Sequence, residues 1–216
     1  WCLLPATVMT VGVQVVLTAI AVVVHIGETG SAAGEFSLTG WGGWSSFAPL
    51  LVLILVLVPL QCFAEELVFR GVVLQSFGTW IKWPWAAAIP SIVLFVLGHG
   101  YGLWGQLSIV VFAITMVIVT IRTGGLEAAI ALHVINNVFV FLSESSGVFV
   151  TTATPATGST DEIVAGLISL ASEILVCGGY LWWVLVIARR RRVNVLRAQP
   201  DRLEVVPTWG APWPPY

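Results

Sequence analysis

The chain has 216 residues, 58% of them hydrophobic and 9% charged, and its mean hydropathy is +0.97. Soluble domains carry roughly 25% charged residues, so this composition excludes a water-soluble domain and implies an integral membrane protein. The formal net charge is −2, and the nine basic residues are confined to Arg70, Lys82, Arg122, Arg189 to Arg192, Arg197 and Arg202.

A bilayer crossing takes about 20 apolar residues, and six stretches approach that length: 3–26, 47–77, 84–99, 104–122, 126–143 and 162–188. They predict an all-α, polytopic membrane bundle of about six transmembrane helices, a single domain over 1–188, followed by a basic and Pro/Trp-rich tail over 189–216. The first stretch begins directly after Trp1 with no basic segment before it, which reads as a trimmed or partial chain rather than a signal peptide. It ends at His25, suited to an interface. The connections 27–46 and 143–162 hold no Lys or Arg, whereas those around Lys82 and Arg122 and the tail do. By the positive-inside rule the basic connections and both termini lie in the cytoplasm, and the two other loops lie outside the cell inner or plasma membrane. The RRRR run reads as a stop-transfer and lipid-headgroup anchor, not a nucleic-acid site, and PTWGAPWPPY as a disordered tail. No internal repeat is visible. Cys2, Cys62 and Cys177 are odd in number and far apart, and read as apolar filler.

Several polar residues stand where lipid should exclude them: Glu65, Glu66, Arg70, His99, His133, Asn136, Asn137 and Glu173. A carboxylate in the bilayer costs at least about 2.5 kcal/mol, so such groups are paired, water-facing or functional. Glu66 and Arg70 are four apart with the acid first, the favourable order for an intrahelical pair. Glu65 points about 100° away, free to face a cavity as a candidate general base. Glu65 and His99 are each seventeen positions from Lys82, so an antiparallel hairpin would set them at similar height, nearer the cytosolic face. His133 lies about 10 Å along the fifth helix and shares a face with Asn137. Glu65, His99, His133 and Asn137 together could activate water and polarise a carbonyl. Asn136 reads as interhelical glue, Phe95 as packing that orients His99, and Glu127 as an acid in the first turn of its helix. Glu173 fits no motif; pairing with Arg70 or a histidine, or facing water, is open to it.

AEELVFRG carries EExxxR (Glu65, Glu66, Arg70), LFVLGH carries FxxxH (Phe95, His99), and LHVINN carries HxxxN (His133, Asn137). In this order on successive membrane helices, they resemble the CPBP family of intramembrane proteases, also called CAAX proteases and bacteriocin-processing enzymes, or Abi. This family includes the Ras-converting CAAX prenyl endopeptidase. The resemblance covers roughly 58–143. It implies an endopeptidase acting on a peptide or lipidated protein near the cytoplasmic leaflet, with Glu65 and His99 activating water, His133 and Asn137 forming the oxyanion site, and Glu66 and Arg70 shaping it. It implies no required cofactor; should zinc be used, Glu65, His99 and His133 would be the ligands. Two readings of another class stay open: a non-catalytic bacteriocin self-immunity or scaffold protein, and a small proton-coupled transporter.

Overall fold

A computed structural model describes residues 1–29, 41–146 and 158–190, and these are helical with short turns. The elements are α1 (Leu3–Thr29), α2 (Trp44–Glu66), a π-helical segment (Leu67–Val73), α3 (Leu74–Trp80), α4 (Pro84–Leu97), α5 (Leu103–Thr123), α6 (Glu127–Ser146) and α7 (Thr160–Arg190). The expected all-α membrane bundle is what forms. Because α2, the π segment and α3 run on as one helix, each of the six apolar stretches corresponds to one helical run. Five of these runs are long and apolar enough to cross a membrane. Helix α4 is the sixth; its 14 residues reach about 21 Å, short of a hydrocarbon core of about 30 Å. The expectations for the tail and for most of the two loops without Lys or Arg concern 191–216, 30–40 and 147–157, outside the described residues.

Local chemistry sets the boundaries. Pro84 occupies the first turn of α4, where its missing N–H costs nothing. Gly124, at φ 70°, ends α5 in the left-handed conformation and donates its N–H to the Thr120 carbonyl at 2.8 Å. Along the Trp44–Trp80 run the buried residues are Ile54, Val58, Cys62, Glu66, Arg70 and Leu74, spaced four apart. In a regular α-helix each such step overshoots a full turn by about 40°, so the stripe would drift off one face. The wider π turn, in which the Leu74 N–H reaches back to the Phe69 carbonyl, offsets that drift.

The core gathers Phe95, Phe112, Met116, Leu132, Tyr180 and Val184. Tyr180 is fully buried and donates its hydroxyl to the Ala128 carbonyl at 2.6 Å, tying α7 to α6. Helix α5 packs chiefly on α7 and α2 on α6, while α1 closes the bundle against α6 and α7. Gly166 lies against Trp104, where an added Cβ would stand 2.2 Å from the indole. This contact sets the first turn of α5 beside the second turn of α7. Helices α4 and α6 run the opposite way, so the α3–α4 turn with Lys82, the α5 end with Arg122 and the α7 end with Arg189 and Arg190 share one end of the bundle.

Candidate active site

The buried stripe carries its charge where it meets α6. Arg70 and Glu66 are both fully buried, and the Arg70 Nη1 donates to Glu66 Oε1 at 3.0 Å, as the i,i+4 spacing predicts. The guanidinium stands over the Phe95 ring, 4.3 Å from its centroid, so a cation–π contact supplements the ion pair. Arg70 Nε and Nη2 and Glu66 Oε2 are buried with no hydrogen-bond partner among the described residues.

The same Glu66 oxygen also receives His133, whose Nδ1 lies 2.8 Å away. An ionised carboxylate only accepts hydrogen bonds, so Nδ1 carries the proton and Nε2 is left for other work. Nε2 faces Glu65 Oε2 at 3.7 Å. That is too long for a direct hydrogen bond, but one water could touch both atoms. Glu65 is held from its other side by Gln61, whose Nε2 donates to Oε1 at 2.9 Å. With 23% of its side chain exposed, Glu65 is the reachable member of the pair and Glu66 the sealed one.

His99 ends the α4 side of the site. Its Nδ1 bonds the Phe95 carbonyl at 2.7 Å, and because a carbonyl only accepts, Nε2 is again the free nitrogen. Its ring packs on Phe95 at 4.7 Å and stacks on Tyr101 at 5.9 Å. Gln106 donates to the His99 carbonyl and fixes the turn that follows. A partly open cavity of about 280 Å³ joins His99, His133, Asn136 and Asn137 to Ser108, Phe112, Glu144, Ser169 and Glu173.

Three expectations change here. Glu65 meets His133 rather than His99. Glu66 is not spent on Arg70 alone, because it also orients His133 from 67 residues away. Glu173 pairs with neither Arg70 nor a histidine: it accepts from the Cys177 thiol at 3.1 Å and lines the cavity. Cys177 is accordingly more than filler, since its thiol donates to Glu173. Phe95 is fully buried against both imidazoles and the guanidinium, the packing role expected of it. The Cys177–Glu173 bond was visible as an i,i+4 spacing; Tyr101, Gln106 and Glu144 carried no such signal.

The donor set does not fit zinc as placed. Among the described residues no three His, Cys, Asp or Glu side chains gather where they could hold a metal ion. Glu65, His99 and His133 therefore do not converge as a His₂Glu triad.

Fold and site together define a multi-pass helical membrane protein with a carboxylate, guanidinium, imidazole and amide centre inside its spans. Residues 44–139 match the family model described as Type II CAAX prenyl endopeptidase Rce1-like, and that stretch of the chain is similar to this family. It is 34% identical over 114 residues to the Bacillus subtilis (strain 168) "Uncharacterized protein YyaK", a match that covers 49% of this chain and 38% of that protein. The chain thus spans less than half the length of this curated relative. No solved structure matches it.

Proposed function

We propose that the protein is an intramembrane endopeptidase of the CAAX prenyl protease type, which hydrolyses a peptide bond with water activated by Glu and His and needs no cofactor. The observation that carries this is Glu65 Oε2 facing His133 Nε2 at 3.7 Å, with Glu66 holding the other ring nitrogen. Glu65 takes a proton from a water between them, and the water oxygen attacks the carbonyl carbon. The Asn137 amide holds the oxyanion that forms, a role in which one donor is commonly worth 10²–10³ in rate, while His133 Nε2, the ring nitrogen without a proton, accepts from the water. Collapse breaks the C–N bond, and the leaving amine takes up the proton, relayed through His99 Nε2 on the cavity wall. Phe95 and Arg70 keep the centre dry and fixed. The setting is a cell inner or plasma membrane with both ends of the chain in the cytoplasm, as the basic ends of α5 and α7 support.

The test is cleavage of a quenched fluorescent farnesylated CAAX peptide by purified protein in detergent. Wild type is compared with Glu65→Ala and His99→Ala, each with and without a zinc chelator. Expected is chelator-insensitive cleavage that both substitutions abolish while the helical spectrum is kept. Cleavage that survives Glu65→Ala would sink the mechanism, and loss of activity with the chelator would replace it with a metal-dependent one.

A further inference from the structure

The cavity has a direction. On α6 its lining residues His133, Asn136, Asn137, Val140 and Glu144 form one helical face, and Glu144 lies about 16 Å beyond His133 at 1.5 Å per residue. On α5 and α7 the lining begins at Gly105 and Ser169, in the halves of those helices remote from Arg122, Arg189 and Arg190. Tyr101, exposed in the α4–α5 connection, completes the rim. From His99 and His133 the cavity therefore runs toward the end of the bundle opposite the basic residues. Sequence depth alone suggested approach from the basic, cytosolic side.

Its charge is equally one-sided. Glu144 and Glu173 line it, and no Lys or Arg does. Ser108 Oγ, a further polar atom of the wall, is buried without a partner. A peptide entering here passes two carboxylates in a medium where charges interact strongly. A lysine or arginine side chain is drawn to that wall.

We propose that the substrate enters from the membrane face opposite the basic residues, and that Glu144 and Glu173 select a peptide segment carrying positive charge beside the scissile bond. This rests on the endopeptidase reading for the bond that is cut, but not for the side of entry. Two arms test it on the full chain. In the first, Tyr101→Cys, Glu144→Cys and Arg122→Cys are treated with a membrane-impermeant maleimide on intact cells and on inverted vesicles; the native Cys2, Cys62 and Cys177 are buried. Labelling of the first two from outside and of the third only in inverted vesicles is expected. The reverse pattern would overturn the side of entry.

In the second arm, matched quenched farnesylated peptides carry Lys or Glu next to the scissile bond, with a free or an amidated carboxyl terminus. The Lys peptide is expected to show a KM about tenfold lower than the Glu peptide, a difference of about 1.4 kcal/mol. Glu144→Gln/Glu173→Gln should erase this preference by raising the KM of the Lys peptide to that of the Glu peptide. Equal KM values in wild type would overturn the charge selection. Failure to cut any peptide would count against the endopeptidase reading, and the labelling arm would still decide the path.

Discussion

Replacing Arg70 by Met tests the charged stripe most directly. The substitution keeps a long side chain against Phe95 but leaves the fully buried Glu66 without its cation. Removing one partner of a buried pair costs about 3–5 kcal/mol, and the lost cation–π contact adds about 1 kcal/mol. Against this, the two guanidinium nitrogens that lack partners disappear, returning about 1–3 kcal/mol. The net loss is about 1–5 kcal/mol of stability, centred on about 3. Adding Glu66→Gln removes the stranded charge and keeps a carbonyl oxygen to accept from His133 Nδ1, so the double variant should be more stable than Arg70→Met alone. Thermal unfolding in mild detergent can be followed by reaction of the buried cysteines with a thiol-reactive fluorophore. It should rank wild type first, the double variant second and Arg70→Met last. A double variant that loses the sum of the two single losses, within about 0.5 kcal/mol, would show that Arg70 and Glu66 are not coupled.

Other outcomes follow from single contacts. Asn137→Ala should lower kcat about 10²–10³-fold with little change in KM, if the amide acts only on the developing oxyanion; a rise in KM alone would reassign it to binding. Tyr180→Phe removes the 2.6 Å bond to the Ala128 carbonyl and should cost about 1 kcal/mol, read as a lower unfolding temperature with cleavage preserved. Gly166→Ala forces Cβ against the Trp104 indole at 2.2 Å, while Gly179→Ala meets only the mobile end of Met9. The first should therefore destabilise by about 1–3 kcal/mol and the second distinctly less in the same assay.

The helices were legible because lipid imposes one rule, a long apolar run, and the punctuation is local: Pro84 starts α4 and Gly124 ends α5. The Glu66–Arg70 pair was legible for the same reason, being contained in four residues of one helix. Partnerships between helices were not. Nothing in the spacing says that His133 settles on Glu66 rather than facing the substrate with both nitrogens, because that depends on how α6 rotates against α2. The π segment left no mark either: LVFRGVV is as apolar as its flanks, and only the demands of the buried stripe reveal it. Glu173 belonged to no motif, and its place in the cavity wall follows from the packing of α7 on α5.

That π segment makes chain length, rather than composition, the sensitive quantity in this part of the protein. Adding one residue between Leu67 and Val73, beyond the one the wide turn already absorbs, would leave hydropathy and charge almost unchanged. Yet everything from Leu74 to Trp80 would turn by about 100° relative to Glu66. Leu74 would leave Ala88 and Val117, the residues it packs against, and α4 would lose the surface that sets the height of His99. The surplus residue acts as a phase correction: it lets one continuous helix serve α6 with its first half and α4 with its second.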